Sequence, residues 1–334
     1  MLIFLYFAFR GTDFLMLWKI SSHANVWWLL ALLPPLLLSH TLRAWRWEYL
    51  LRPLKKDIRY RNLFSTLMVG YMMNNVLPKA GEIVRPYALG KIEGISRSAV
   101  FGTVLVERIF DILSFMLLIG FIPLVYSGPL NVAFPWLEEI GIWLTSATFA
   151  IFFFMIFLMI RRDLVERVLR FFTRYLSETM ARKVERIAHS FLDGFLFLKD
   201  TGNYVVIILL SVLIWLLYIV MMFLPFFAFD LPRVYPQIDF SAAVVVQAIS
   251  SLGIVIPTPG ATGPYHYFTT QALTRLYGVN AETALSYATL THAVAFIGTT
   301  LIGIFYFFKD KMHSFDMLSS ETRGKPVTEL EALR

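Results

Sequence analysis

Outside three stretches, this sequence carries only 19 charged residues in 248 positions. The other 34 of its 53 charges crowd into 43–62, 161–200 and 309–334. A charge at the centre of a bilayer costs about 2.5–3.5 kcal/mol on insertion scales, so chains that lie in lipid are depleted in this way. A soluble domain carries about 25% charged residues, against 16% here. The distribution excludes a soluble enzyme, a disordered chain and a nucleic-acid binder. Backbone groups in lipid must be satisfied within the segment, which leaves helices for runs of this length. The expected fold class is an all-α polytopic membrane protein.

Several chemistries are excluded early. There is no cysteine, so disulfides, thiolate metal sites and cysteine nucleophiles are absent. The six histidines form no metal-spaced pair, and no Gly-rich loop ends in Lys-Ser or Lys-Thr. No cofactor or metal is therefore expected. Lys79 with Arg85-Pro86 falls one residue short of a lipid-phosphatase motif, and that motif's later parts are missing. The net charge of +7 belongs to loops facing anionic head groups rather than to nucleic-acid binding.

Apolar runs lie at 25–42, 63–78, 98–125, 140–160, 203–228, 240–257 and 284–308, with a stub at Leu2–Phe9. A span needs about 20 apolar residues, so most of these reach or approach the length and the stub does not. The expectation is six to seven spans. Residues 1–24 form a short interfacial segment without a cleavable leader, and the amino terminus lacks a full first span. Basic residues mark the cytoplasmic side. Seven lie in 43–62, four in 79–97, nine in 161–200 and five after 308, whereas 126–139 has none and 229–239 has only Arg233.

That count creates a parity conflict. Segments 43–62 and 79–97 both read as cytoplasmic, yet an apolar run separates them. The run is then no full crossing but one arm of a re-entrant hairpin, 63–97, whose tip at 74–81 holds Pro78 and Gly81. The same reasoning makes 240–277 a hairpin entering from outside. Its tip at 256–264 holds Pro257, Pro259, Gly260 and Gly263. The chain divides into a first membrane half, 25–160, a cytoplasmic amphipathic segment, 161–202, a second half, 203–308, and a cytoplasmic tail, 309–334. Paired Pro/Gly-broken segments in two inverted halves point to a transporter's central site. Two unrelated kinks in ordinary helices are the plainer alternative. In 161–202, apolar residues recur at helical spacing among arginines, as in helices lying on a membrane surface.

Polar residues inside apolar runs are the site candidates. Glu107, Arg108 and Asp111 lie about ten residues into a span, at spacings that share one face. They serve either as helix-pinning ion pairs or as a head-group or ion site. His292 lies at a similar depth in the corresponding span of the second half, as an interhelical hydrogen bonder or a proton relay. At the first tip, Asn74, Asn75, Lys79, Glu82 and Arg85 flank the turn. Lys79, Arg85 and the backbone N–H groups of a returning helix make a phosphate receiver. The second tip offers Thr262, Tyr265, His266 and its glycines, without charge. Close packing in a tight turn is the alternative for both.

These residues also carry a resemblance. Arg46-Trp47-Glu48-Tyr49-Leu50-Leu51, Asn75-Val76-Leu77-Pro78-Lys79-Ala80-Gly81-Glu82 with Arg85, Glu107-Arg108 with Asp111, and Pro257-Thr258-Pro259-Gly260 with Gly263 occur in this order. The ordered set, over roughly 25–310, resembles the lysylphosphatidylglycerol synthetase transmembrane-region family, a flippase-like membrane domain. The resemblance implies a bacterial or archaeal cytoplasmic membrane. It also implies movement of an aminoacylated phospholipid between leaflets, with synthesis left to a separate soluble domain. About 26 residues follow Phe308, so lipid synthesis by this chain is not expected. Members often carry an acidic or Arg-Glu pair after the second Pro-Gly segment, where this chain has Pro264-Tyr265-His266.

The reading that results is a stand-alone translocator of a phospholipid or other polar lipid, with an anionic or phosphate-bearing head group. An accessory subunit of an envelope glycolipid or polysaccharide pathway, docking a protein partner through 161–200, is the second reading. A lipid-modifying enzyme using Glu107, Asp111 or His292 as acid and base is a third.

Overall fold

The computed structural model describes residues 1–128, 130–196 and 201–310, and among them there are helices and no strands. The expected cytoplasmic tail, 309–334, lies almost entirely outside the described residues. Four short and medium helices open the chain: α1 (Leu2–Phe9), α2 (Phe14–His23), α3 (Val26–Leu30) and α4 (Leu33–Leu51). Asp13 and Asn25 cap α2 and α3 through their side chains, which fixes where each starts. Pro34 and Pro35 open α4, where a missing N–H costs nothing. Next come α5 (Tyr60–Val76), α6 (Gly81–Glu93) and α7 (Arg97–Val125). A second series follows: α8 (Leu130–Ala133), α9 (Leu137–Ile160), α10 (Arg162–Thr173) and α11 (Glu178–Asp193). It is completed by α12 (Tyr204–Ala228), α13 (Leu231–Val234), α14 (Phe240–Val255), α15 (Pro264–Tyr277) and α16 (Ala281–Lys309).

Four segments are long and apolar enough to cross a bilayer: Val26–Leu51, Arg97–Val125, Tyr204–Ala228 and Ala281–Lys309. The 24-residue α9 is a further long helix. The apolar runs at 63–78 and 240–257 become helices of 17 and 16 residues. At 1.5 Å per residue these reach about 26 and 24 Å, short of a hydrocarbon core of about 30 Å.

The order "long helix, short pair, 29-residue helix" occurs twice, as α4 to α7 and as α12 to α16. Each returning helix of a short pair ends on a left-handed glycine, Gly94 after α6 and Gly278 after α15. The pairs open toward opposite ends of the bundle. At one end Glu93 accepts from Arg59 N–H and Asn62, and Arg61 pairs with Asp310 at the foot of α16. At the other end Gln237 donates to the Tyr277 carbonyl, and Tyr126 at the head of α7 donates to Leu276.

Packing is reciprocal between the two series. Helix α5 lies on α16, α14 lies on α7, and α4 lies on α12. Helices outside the two repeats pack across as well: α2 lies on α16 and α11 on α7. Two apolar cores result. One gathers α4, α5 and the first half of α7 with Leu192 and Ile207. The other gathers α12, α14, α15 and α16 with Phe115 and Ile122 from the far half of α7.

The segment 43–62 differs from its expectation. Helix α4 runs to Leu51, so Arg43 and Arg46 belong to a buried helix face and not to a loop. The loop proper begins after them and keeps Arg52, Lys55, Lys56, Arg59 and Arg61.

Candidate functional site

Helix α7 carries Glu107, Arg108 and Asp111 on one face, and the structure surrounds them with arginines. The Glu107 carboxylate is fully buried and accepts from Arg43 at 2.7 Å, Arg108 at 2.8 Å and Arg85 at 2.5 Å. Asp111 accepts from Arg46 at 2.5 Å and Arg43 at 2.8 Å, and it forms an ion pair with Arg108 at 3.1 Å. Arg108 also reaches Glu82 at 3.7 Å. Four guanidiniums thus face three carboxylates across α4, α6 and α7, leaving one surplus positive charge. The second series contributes Tyr218, which accepts from Arg43, and Ser211, which accepts from Arg46, each at 2.9 Å on α12.

Burial without pairing would make this cluster untenable, because an uncompensated charge in low dielectric costs several kcal/mol. Pairing also fixes the helices. Arg85 stacks on the Trp47 ring at 4.5 Å, and the Trp47 indole donates to Thr103 at 3.0 Å. Capacity is left over. Among the described residues, both ring nitrogens of His40, the Tyr71 hydroxyl, Glu82 Oε2 and the Nε of all four arginines are buried and find no hydrogen-bond partner. His40 and Tyr71 stand 4.6 Å apart, ring to ring, and Arg43 lies 5.7 Å from the Tyr71 ring.

The two turns between the short helices meet each other. Asn75 at the end of α5 donates to the Phe296 carbonyl, Thr299 and Thr300 of α16 at 3.3, 3.2 and 2.8 Å. Its Oδ1 lies beside Gly260 of the second turn. Lys79 Nζ reaches across to the Ile254 carbonyl at 3.5 Å. His292 Nε2 bonds the Gly260 carbonyl at 2.7 Å, which ties the second turn to α16. Each turn holds a non-glycine residue in the left-handed region, Lys79 at φ 60° and Ala261 at φ 58°. Such backbone costs of order 1–3 kcal/mol and persists only where its surroundings impose it. Gly81 is required by proximity: a Cβ there would overlap the Gly70 carbonyl, and Asn74 accepts from its N–H at 2.8 Å.

Most residues singled out from the sequence come together, with differences in detail. Glu82, Arg85, Glu107, Arg108 and Asp111 form one cluster. Arg85 does not stand with Lys79, because it is 4% exposed and held by Glu107, while Lys79 is exposed at the turn. Arg108 is the more open cation of the cluster: a third of its side chain is exposed, and it reaches Glu82. His266 and His292 form a pair at the second turn, ring centroids 4.7 Å apart. Among the described residues the Thr262 side chain makes no hydrogen bond, and its N–H donates to the Pro259 carbonyl. Pro78, Pro257 and Pro259 lie in the turns themselves. Arg43, Arg46 and His40 were missed because they adjoin a basic loop. Their signal was present, since His40, Arg43, Arg46 and Trp47 recur at helical spacing on one face of an apolar segment.

The sequence also matches known proteins. The family profile described as the lysylphosphatidylglycerol synthase TM region matches residues 1–303. A UPF0104 membrane protein of Methanothermobacter thermautotrophicus is 30% identical over 234 residues, 65% of this chain and 66% of that protein. Another, from Methanocaldococcus jannaschii, is 27% identical over 285 residues, 82% of each chain. No solved structure matches. The helical bundle, its long apolar helices and the match over nine-tenths of the sequence lead to one conclusion. The chain is a multi-pass membrane protein and belongs to the lysylphosphatidylglycerol synthase TM-region family.

Proposed function

We propose that this protein carries a polar lipid with an anionic, phosphate-bearing head group between the leaflets of a bacterial or archaeal cytoplasmic membrane, with its C-terminus in the cytoplasm. The observation that carries this reading is the meeting of two broken turns, entering from opposite ends of the bundle, beside a cluster with surplus positive charge. Broken backbone at membrane depth is tolerated only in protein or around a wet cavity. In this account α5–α6 and α14–α15 are re-entrant hairpins, Lys79 and Arg108 receive the phosphate, and the unpartnered donors around Arg43 accommodate water or head-group oxygens. Rocking of one series against the other then exposes the site to each leaflet in turn. No bond of the lipid is made or broken, so no catalytic residue is assigned.

The test is translocation in proteoliposomes holding fluorescent phosphatidylglycerol, phosphatidylethanolamine or phosphatidylcholine, read by surface quenching. The expected result is faster flipping of the anionic probe, lost in Lys79→Gln. Equal rates for all three probes with wild type and Lys79→Gln contradict the anionic-head-group reading. The accessory-subunit reading is favoured by one observation, the exposed apolar residues Phe171 and Phe172 of α10, Tyr175 in the turn after it, and Met180, Val184 and Ile187 of α11. It requires wild-type protein to flip no probe and to co-purify with an envelope-biosynthesis protein in a manner dependent on those residues.

A further inference from the structure

The second turn is held by two histidines whose hydrogen bonds respond differently to protonation. His292 Nε2 faces the Gly260 carbonyl at 2.7 Å, and a carbonyl can only accept, so this nitrogen carries a hydrogen. His266 Nδ1 faces the Gly263 N–H at 3.4 Å, and an N–H can only donate, so this nitrogen is bare. His266 is therefore neutral in this conformation. His292 keeps its bond whether neutral or charged.

The rings stand 4.7 Å apart, centroid to centroid, with His266 5% exposed. From α15 Tyr265 lies 5.3 Å from His292, and its hydroxyl is shared with Thr291 of α16 at 3.2 Å. Phe296 of α16 stands 5.7 Å from His292 and Phe9 of α1 6.3 Å from His266, ring to ring. Met1, just before α1, places its carbonyl beside Gly263, and Arg10 follows α1 directly after Phe9. The first turn brings Asn75 beside Gly260, and Lys79 reaches the Ile254 carbonyl at the end of α14. Among the described residues no carboxylate bonds either ring, so a positive charge on one imidazole is opposed by the other.

We propose that His266 and His292 form a proton-binding site that opens the second turn. A proton taken at His292 Nδ1 leaves the Gly260 bond in place. A proton taken from solvent at His266 Nδ1 puts a second donor against the Gly263 N–H, ends that bond, and sets two like charges side by side. The turn around Thr262 then separates from α15 and becomes accessible. This deepens the translocation reading by naming a coupling ion, and it rests on that reading only for its purpose.

The test needs no lipid substrate. Thr262→Cys in the naturally cysteine-free protein is labelled with a water-soluble maleimide in proteoliposomes between pH 8 and pH 5. The rate is divided by that of the same cysteine in a His266→Asn background. Asparagine keeps an acceptor near the Nδ1 position without titrating, and the ratio cancels the thiol's own pH dependence. The expected ratio is near one at pH 8 and rises severalfold by pH 5. A flat or falling ratio overturns the proposal and leaves translocation itself untouched. If His266→Asn does not accumulate, the ratio is taken against His292→Gln, which keeps the Gly260 donor and removes one charge. Its acid response should be smaller than that of the intact pair, and an equal response overturns the proposal.

Discussion

Replacing Glu107 by Gln should destabilise the protein more than any conservative change elsewhere in the bundle. The carboxylate receives Arg43, Arg85 and Arg108 within 2.8 Å, and Arg46 stands at 3.5 Å. Gln keeps the volume and one acceptor, but four guanidiniums then face two carboxylates. Breaking one member of a buried ion network costs about 3–5 kcal/mol, which lowers the folded-to-unfolded ratio by roughly a hundredfold or more. Arg85 is the arginine most dependent on Glu107, since its other contact is the Trp47 face. Removing both partners in Arg85→Met/Glu107→Gln should therefore recover about 1.5 kcal/mol or more relative to the sum of the single changes. The assay is reversible SDS unfolding in mixed micelles for wild type, both single variants and the double. A Glu107→Gln protein within about 0.5 kcal/mol of wild type, or strictly additive effects, would refute the claim that the network is paired as described.

Other expectations follow from single contacts. Asn75→Ala removes three bonds to α16 and should cost about 1–3 kcal/mol in the same unfolding assay. Gly81→Ala should sharply reduce the monodisperse folded yield in detergent, because the new methyl meets the Gly70 backbone; Gly120→Ala, with open space around it, should not. Burial pushes the Glu93 carboxyl up, but bonds from Lys55, Asn62 and Arg59 N–H outweigh it and hold the group below its ordinary value. A depressed pKa gives stability that is complete above about pH 4.5 and is lost as pH falls through the folded value. The stability gap between wild type and Glu93→Gln should accordingly be full at pH 7 and shrink in titrations below about pH 4.5.

The sequence was most informative where a rule of lipid chemistry applied to it directly. Glu107, Arg108 and Asp111 stood out because charge inside an apolar run needs partners, and helical spacing already placed them on one face. The turns stood out because Pro and Gly interrupt apolar runs too short to span. Arg43 and Arg46 escaped because their position next to Arg52 and Lys55 made them look like loop residues, and charge counting does not distinguish a buried face from a solvated one. The pairing of Arg85 with Glu107 instead of with Lys79 depends on which way α6 faces, a property of packing on α7 that local pattern does not carry. The contact between Asn75 and Gly260 joins residues 185 positions apart, and nothing at either position announces the other.

The central claim is that the two short helix pairs enter the membrane from opposite sides and leave on the side they entered. Four single cysteines test it: Lys56→Cys and Ser96→Cys at the feet of α5 and α6, and Arg233→Cys and Ala281→Cys at the feet of α14 and α15. All four wild-type residues are exposed. Intact cells and inside-out vesicles are labelled with a membrane-impermeant maleimide. The account predicts that Lys56→Cys and Ser96→Cys react only from the cytoplasm, and that Arg233→Cys and Ala281→Cys react only from outside. Labelling of Lys56→Cys and Ser96→Cys from different sides, or of all four from one side, contradicts it.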